Sequence, residues 1–362
     1  MRTILKSAVS LCVISLAFQA EATTVQVGSC LAHLQSYVTI SEAVGAVPAG
    51  STVWVCPGLY PEQVTVAKSL TLHGALVGNT AGATITVPSG GLKRSVLLRN
   101  NVAMYFQILV QGSPSDVITI RDLGINGLGH QVGTKGWMCG ICYRATSGSI
   151  SHTAVYNQKG NGSGFGIFLE GGGPPDLNAI SIIANSIHDF DDGGIRSNAN
   201  SNPPSLSVSI RENSVVISRS PTLYDSAAAI SIDGTGEISG NRLLGPSMGI
   251  GIGVLSNLKL SNNTIEGFGI GIWLVGQSNT IVSNRISSTT GAGIILSGNG
   301  NAVERNYFLN AANAISFNET GTSNHVVNNT INDSGLGVGS DPGGNVVSPN
   351  QFSNVSTIKE SQ

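Results

Sequence analysis

Short apolar segments separated by glycine and asparagine recur along most of the chain. The clearest unit is Asn-x-apolar, as in Asn185-Ser186-Ile187, with an aliphatic residue three positions before the Asn. In most copies a small residue and an aliphatic residue follow, as in Gly194-Ile195. Three strand-like segments per repeat predict three strands in every turn of a solenoid. The asparagines of the repeat are Asn185, Asn213, Asn241, Asn263, Asn284, Asn306, Asn329 and Asn350.

From Asn241 onward the repeat is 21 to 23 residues long. It predicts an all-β fold, a single-stranded right-handed parallel β-helix. Propeller blades are excluded because they need about 40 residues, and leucine-rich repeats are excluded because they need an LxxLxL motif. We expect the repeated asparagines to occupy bends in the left-handed region of backbone space. Stacked about 4.8 Å apart, their side chains should hydrogen-bond as a ladder.

The segment before the repeat has a different pattern. Thr39 and Glu42 form a capping-box signature, and apolar residues follow at helical spacing up to Val47. A helix there would cover the open apolar end of the stack, as a solenoid requires for solubility. We therefore expect an N-terminal segment with an α-helical cap over residues 23–52 and one parallel β-helix over residues 53–362.

The extreme N-terminus resembles an export signal. Arg2 and Lys6 precede the apolar residues 8–18, and Ala20-Glu21-Ala22 offers the small residues that a signal peptidase reads. Because the apolar stretch is shorter than the roughly 20 residues needed to cross a bilayer, we expect cleavage of residues 1–22 and no membrane span afterwards. The mature protein should be secreted or periplasmic.

Four cysteines remain after that cleavage, an even number that suits an oxidising compartment. Cys30 and Cys56 bracket the predicted cap helix, and we expect them to form a disulfide. The pair Cys139-Gly-Ile-Cys142 is compatible with a local bridge, a redox dithiol or half of a zinc site. The absence of a second CxxC or an HxxxH makes a zinc site weak, and the flanking sequence lacks the helical pattern that a thioredoxin-like motif needs.

Composition narrows the classes of partner. Only 10% of the residues are charged, against about 25% in an average globular protein, and the formal net charge is -2. No run of five basic residues occurs, so nothing in the sequence is suited to a phosphate backbone. Nucleic acid is therefore not an expected partner.

Repeat length indicates where chemistry is concentrated. The steps from Ile125 to Val155, Ile187, Val215 and Leu243 are 30, 32, 28 and 28 residues, longer than the minimal repeat. The extra residues must form projecting loops, and loops on a rigid scaffold are where binding residues concentrate. We expect any ligand groove beside these long-loop coils rather than along the minimal coils after Asn241.

The same part of the sequence has the densest cluster of acids and bases, between His188 and Arg196. Carboxylates beside basic residues suit β-elimination or glycoside hydrolysis of an acidic polysaccharide, and calcium is a possible ligand. Asp-Asp-Gly-Gly is equally good turn chemistry, so a purely structural role stays open. The candidate catalytic residues are His188, Asp191, Asp192 and Arg196, and the candidate substrate-binding residues are Trp137, Lys159, Tyr224 and Asp225.

Aligning the coils on their inward aliphatics predicts the neighbours of this cluster. Asn126 and Tyr156 should lie in successive coils beside His188. Phe168 and Ser231 should flank Arg196.

With these features the chain resembles the pectin-lyase-like superfamily of right-handed parallel β-helices, with NosD-type repeats in its C-terminal half. Gly58, Tyr60 and Glu62 match the GxYxE motif of pectin methylesterases, but the motifs that carry esterase, polygalacturonase or pectate lyase chemistry are absent. The resemblance thus implies the fold across nearly the whole chain and does not by itself imply an activity.

Two classes of function follow from the sequence. One is a secreted lyase, hydrolase or epimerase acting on acidic polysaccharide along the long-loop face. The other is a non-catalytic extracellular β-helix that binds a glycan or a partner. A copper-loading role of NosD type has no Met or His cluster to support it. The export signal and plain repeats suggest a bacterial source.

Overall fold

A computed structural model of the chain describes residues 21–133, 136–172, 177–198, 205–218, 227–255, 257–318, 321–339 and 341–358. Nearly all of the predicted signal peptide lies outside the described residues, and so do Tyr224 and Asp225. In each coil the chain passes through three sheets in the order A, B, C before it returns to sheet A. Within the described residues sheet A has 13 strands, and sheets B and C have 12 each.

The strands of sheet A are β1 (Thr24–Val27), β2 (Ser36–Tyr37), β3 (Ser51–Val55), β6 (Leu70–Gly74), β12 (Val117–Arg121), β15 (Ser147–Ser151), β18 (Asn178–Ile183), β21 (Leu206–Arg211), β24 (Thr235–Ser239), β27 (Leu258–Ser261), β30 (Thr280–Val282), β33 (Ala302–Glu304) and β36 (His325–Val327). Those of sheet B are β4 (Gly58–Pro61), β9 (Ala83–Thr86), β13 (Gly124–Asn126), β16 (Ala154–Gln158), β19 (Ser186–Phe190), β22 (Ser214–Val216), β25 (Arg242–Leu244), β28 (Thr264–Glu266), β31 (Arg285–Ser287), β34 (Tyr307–Leu309), β37 (Thr330–Asn332) and β39 (Gln351–Ser353). Those of sheet C are β5 (Val64–Val66), β10 (Ser95–Leu97), β11 (Ala103–Val110), β14 (Gly136–Arg144), β17 (Gly164–Glu170), β20 (Gly193–Asn198), β23 (Ala228–Ile232), β26 (Ile250–Val254), β29 (Ile270–Leu274), β32 (Ala292–Leu296), β35 (Asn313–Phe317) and β38 (Leu336–Val338).

Successive coils pair in parallel, so equivalent residues stack on one another. In one coil Ile182, Ile187 and Ile195 come from sheets A, B and C, and all three are fully buried. Stacking such residues builds one apolar core that runs from Val25 to Val347. The predicted all-β parallel β-helix is therefore confirmed. Antiparallel pairing is local, between β10 and β11 and in a small hairpin of β7 (Leu76–Val77) and β8 (Thr80–Ala81).

The predicted helix is present as α1 (Ile40–Ala46). The Thr39 hydroxyl accepts the Glu42 N–H at 3.1 Å, which satisfies one of the unpaired donors of the first turn. Ile40 and Val44 are buried against the first strands. A role for this helix in closing the stack stays a prediction. The described part of the chain contains no helix of the length and apolarity that a membrane crossing requires.

The asparagine ladder is present and buried. Each Nδ2 donates to Oδ1 of the equivalent asparagine in the next coil at 2.9 to 3.0 Å, from Asn185 through to Asn350. These asparagines follow sheet A and precede sheet B. A shorter ladder of the same kind follows sheet C and consists of Asn279, Asn301, Asn324 and Asn345.

The expected backbone conformation of the ladder is wrong by one residue. The left-handed residue is the one before each of several ladder asparagines, as at Ala184 (φ 54°), Asn262 (φ 55°) and Arg305 (φ 53°), and the ladder asparagines themselves are not left-handed. The preceding residue therefore makes the bend. The asparagine is required for its buried amide rather than for its tolerance of positive φ.

Both cysteine pairs form disulfides. The predicted bridge between Cys30 and Cys56 is confirmed, and Cys139 bonds to Cys142. The second pair lies in what we name the outer apolar cluster, on the outer face of sheet C in its first coils. The buried members of this cluster are Leu98, Met104, Phe106, Leu109, Cys139, Cys142, Phe165 and Phe168.

Candidate functional site

The predicted acid–base cluster lies where sheet-B strands turn into sheet-C strands, an edge that we call the B–C corner. Lys159 follows β16, and Asp191 and Asp192 join β19 to β20. The Asp192 N–H donates to the Gly164 carbonyl in the preceding coil at 3.0 Å, which fixes the turn against its neighbour. Arg196 is on β20 itself. Four of the candidate residues are therefore brought together.

Asp191 is bound by the coil that precedes it. Its Oδ2 accepts the Gly162 N–H at 2.9 Å, and its Oδ1 lies 3.6 Å from Lys159 Nζ. The first contact is a charge-assisted hydrogen bond, and the second is too long for a hydrogen bond. The carboxylate is thus positioned by backbone and faces an ammonium group across a short gap.

Asp192 has different surroundings. Its Oδ1 accepts a hydrogen bond from Arg196 Nη1 at 3.0 Å, and its side chain is only 18% exposed. Burial raises the pKa of Asp192, the nearby Arg196 charge opposes that rise, and the Asp191 charge adds to it. The Arg196 guanidinium also lies over the Phe165 ring, 5.6 Å from its centroid. The two adjacent carboxyls are therefore held by different partners in different environments.

His188 forms a separate pair on the sheet-B side. Its Nδ1 lies 2.8 Å from Asp189 Oδ2, and its ring stacks on Tyr156 at 5.3 Å. The hydrogen bond from His188 lowers the pKa of Asp189. Among the described residues His188 is thus paired with Asp189 rather than with Asp191 or Asp192.

The predicted neighbours of the cluster are confirmed. Tyr156 pairs with both Asn126 and His188 in the strand register. Arg196 pairs with Phe168 on one side and Ser231 on the other.

Among the described residues, Trp137 is joined to the site through the outer apolar cluster. Its ring packs edge-on against Phe165 at 5.3 Å and Phe168 at 6.0 Å. Phe165 in turn lies under Arg196. Trp137 is therefore partly buried and packs against the phenylalanines next to Arg196. It is not an exposed surface for stacking a sugar ring.

Sequence reasoning did not anticipate a cavity in the minimal coils. A shallow cavity of about 450 Å³ lies further along the B–C corner, and its polar lining includes Ser288, Thr290, Asn310 and Asp333. Ser288, Asn310 and Asp333 are left-handed turn residues in successive coils, so their side chains project outward in a row. Turn chemistry alone accounts for this composition.

Metal ligation is not favoured by the donor set. Among the residues that the structure describes, no group of three or more His, Cys, Asp or Glu could hold a metal ion. Each carboxylate of the cluster already faces a positive or protonatable group, namely His188, Lys159 or Arg196. The cluster therefore does not fit calcium, which takes six to eight oxygen ligands.

Several solved structures have a similar fold. GH136 lacto-N-biosidase from Eubacterium ramulus is 11% identical, with a TM-score of 0.60 over 91% of this chain and 67% of that chain. DFA-IIIase from Arthrobacter chlorophenolicus A6 is 15% identical, with a TM-score of 0.52 over 81% and 77%. The mannuronan C-5 epimerase AlgE6 A-module from Azotobacter vinelandii is 14% identical, with a TM-score of 0.46 over 89% and 93%. At such identities the first two similarities establish the fold alone.

Sequence comparison identifies the family. No curated protein matches the chain. The model of the family described as periplasmic copper-binding protein (NosD) matches residues 147–362, more than half of the chain. The protein therefore belongs to the NosD family, within the pectin-lyase-like superfamily of right-handed parallel β-helices.

Proposed function

We propose that this protein acts outside the cytoplasm on an acidic polysaccharide, at the B–C corner, with Asp192 as a general acid. The observation that carries the proposal is the environment of Asp192, a largely buried carboxyl with a raised pKa beside Arg196. A carboxyl of this kind keeps its proton to higher pH than an exposed one. It is therefore suited to protonate the oxygen of a glycosidic bond.

Asp191 is the candidate partner in this chemistry. Its Oδ2 accepts the Gly162 N–H at 2.9 Å, and its Oδ1 lies 3.6 Å from the Lys159 ammonium nitrogen. In glycoside hydrolysis one carboxylic acid protonates the leaving group, and a second carboxylate activates water or attacks the sugar. We assign these roles to Asp192 and Asp191 respectively.

The positive residues favour an acidic sugar. Arg196 Nη1 donates a hydrogen bond to Asp192. Among the described residues, Arg196 Nε and Nη2 donate no hydrogen bond to a side chain. Protonation of Asp192 removes the negative charge that Arg196 faces, which leaves the guanidinium able to pair with a uronate carboxylate. Lys159 lies beyond hydrogen-bond distance of Asp191 and could serve a second carboxylate.

The second candidate is a glycan-binding protein without catalysis. It is favoured by the backbone hydrogen bond from Gly162 to Asp191, because a carboxylate that stabilises a turn needs no catalytic role. In that case Lys159 and Arg196 would bind the sugar, and neither aspartate would transfer a proton. His188, with Tyr156 stacked on it, would line the sheet-B side of the site in either case.

Two observations support a periplasmic or extracellular location in a bacterium. The family is described as periplasmic, and the chain has two disulfides, which persist in oxidising compartments. The copper in the family description does not fit the described residues. Cys139 and Cys142 are fully buried and bonded to each other, and His73 and His188 are each paired with an aspartate. We derive no step through copper.

The test is a screen of purified protein against pectate, alginate and neutral glucans. Hydrolysis and β-elimination both release reducing ends, but only β-elimination also raises absorbance at about 235 nm, so the two assays together separate the reaction classes. We expect activity on an acidic polymer, with Asp192→Asn and Arg196→Ala each lowering it by at least about 100-fold.

The matched control for Arg196 is Arg285→Ala. Arg285 lies over the Tyr307 ring at 4.7 Å, the same kind of contact as Arg196 on Phe165, but on a minimal coil of sheet B. Activity should survive in this variant. Full activity in both Asp192→Asn and Arg196→Ala would contradict the proposed site, whereas binding without turnover in the wild type would favour the second candidate.

A further inference from the structure

Arg196 belongs to a straight column of residues on the outer face of sheet C. In the strand register Arg196 pairs with Ser231, Ser231 with Gly253, and Gly253 with Trp273. These residues occupy four successive coils. Three spacings of about 4.8 Å place the backbones of Arg196 and Trp273 about 14 Å apart along the helix axis.

The far end of the column is an exposed indole. Trp273 is 39% exposed, whereas Leu274, the next residue, is fully buried in the core. Tryptophan is usually well buried, so an exposed one on a flat sheet face is informative. Its amphipathic ring offers an apolar face to a ligand, which the partly buried Trp137 does not.

Between the two ends the column has little side-chain bulk. A Cβ built at Gly253 would lie 3.4 Å from the Ser231 hydroxyl oxygen and 3.7 Å from its Cβ, which are ordinary contacts. The glycine is therefore not required by crowding, and its φ is not positive. Because Gly253 has no side chain, it leaves the sheet surface between Arg196 and Trp273 uncovered at this position.

The column changes character at Arg196. On the N-terminal side Arg196 is preceded by Phe168, Cys142 and Leu109 in the same register, and all three are buried in the outer apolar cluster. On the C-terminal side the column continues through Ser231 and Gly253, which are half-buried, to the exposed Trp273. Among the described residues, the accessible part of the column thus begins at the candidate site and extends into the minimal coils.

We propose that Arg196, Ser231, Gly253 and Trp273 form an extended glycan-binding strip that runs along the helix axis away from the acid–base cluster. A pyranose ring stacks on the Trp273 indole. The sugar polymer crosses the sheet surface at Gly253 within reach of the Ser231 hydroxyl, and the guanidinium of Arg196 pairs with a uronate carboxylate. This inference rests on the proposed function and extends it from a local cluster to a site for a polymer.

The test compares short and long acidic oligomers by titration calorimetry. The probes are dimers and hexamers of galacturonate and of mannuronate, with cello-oligosaccharides of the same lengths as neutral counterparts. We expect Trp273→Ala to weaken hexamer binding about tenfold, roughly the contribution of one aromatic stacking contact, and to leave dimer binding unchanged. Trp273→Phe should restore most of the loss, and Arg196→Ala should weaken both lengths.

Gly253→Leu tests the middle of the strip without replacing either end, because a Cβ at this position makes only ordinary contacts. It should weaken hexamer binding as Trp273→Ala does. Ser316→Leu is its control, since Ser316 lies in the same column two coils beyond Trp273. Circular dichroism of each variant shows whether the fold is kept.

The outcomes separate the two proposals. Equal hexamer affinity in wild type, Trp273→Ala and Gly253→Leu overturns the strip and leaves the proposed function standing. Failure of wild type to bind any acidic oligomer overturns the proposed function. Binding of neutral hexamers that depends on Trp273 but not on Arg196 overturns the role of Arg196 in the strip and the preference for an acidic sugar.

Discussion

The asparagine ladder predicts that two adjacent asparagines have very different effects on stability. Asn263 is buried, with Oδ1 accepting from the Asn241 N–H at 3.0 Å and from Asn241 Nδ2 at 2.9 Å. Its own Nδ2 donates to the Ile238 carbonyl and to Asn284 Oδ1, both at 2.9 Å. Asn284 Oδ1 still accepts the backbone N–H of residue 263 when the side chain is removed.

Asn263→Ala therefore removes the acceptor of the Asn241 backbone N–H and the side-chain donor to the Ile238 carbonyl, whereas Asn241 Nδ2 keeps the Ile210 and Ser239 carbonyls as acceptors. An unsatisfied buried group costs about 1 to 3 kcal/mol, and two of them should lower the free energy of unfolding by about 3 to 5 kcal/mol. The control is Asn262→Ala, one residue earlier. Asn262 is exposed and left-handed at φ 55°, so the alanine costs only about 1 kcal/mol of backbone strain.

Urea unfolding of the two variants, followed by circular dichroism, measures this difference. A gap of about 2 kcal/mol or more is expected. If Asn263→Ala and Asn262→Ala lie within about 1 kcal/mol of each other, the ladder is not a main source of stability and the reasoning from buried amides is wrong.

Two further predictions concern titration and crosslinking. Burial raises the pKa of Asp192, so its contribution to stability falls as pH rises above about 4; the melting temperature of Asp192→Asn relative to wild type should therefore increase from pH 3 to pH 7. Asp116 gives the opposite sign, because hydrogen bonds from Ser113 and Ser69 lower its pKa to about 2, and Asp116→Asn should lose stability relative to wild type as pH rises from 2 to 5. The same sign in both variants would contradict these assignments. The Cys30–Cys56 bridge closes a loop of about 25 residues, and replacing both cysteines by serine should cost about 3 kcal/mol, measured by urea unfolding; a loss below about 1 kcal/mol would refute the chain-entropy estimate.

The fold and the register were predictable from the sequence because inward aliphatics mark every coil. Aligning Ile187 and Ile195 with their equivalents was enough to place Tyr156 beside His188 and Ser231 beside Arg196. The ladder was predictable for the same reason, since its asparagines hold a fixed place in the repeat. Its backbone conformation was not, because a left-handed bend shifted by one residue leaves the spacing unchanged.

The candidate site was only partly predictable, because outward residues have no periodic constraint. Trp137 and Trp273 both lie on sheet-C strands. Trp137 is covered by Phe165 and Phe168 from the next coil, whereas Trp273 is exposed. The different environments of Asp191 and Asp192 depend on Gly162 and Arg196, one from another coil and one four residues along. The sequence of two adjacent aspartates does not show that their side chains have different partners.

The ladder also has a direction. Every side-chain amide donates to the coil that follows, from Asn185 to Asn350, and the shorter ladder that begins at Asn279 has the same orientation. Backbone dipoles in a sheet largely cancel, but these amide dipoles add along the axis. A dipole of about 3.5 D repeated every 4.8 Å is equivalent to about 0.15 elementary charge at each end, negative toward the N-terminus and positive toward the C-terminus. The solenoid is thus weakly polarised in the sense opposite to an α-helix, and one substitution in the middle of the ladder would divide that dipole into two.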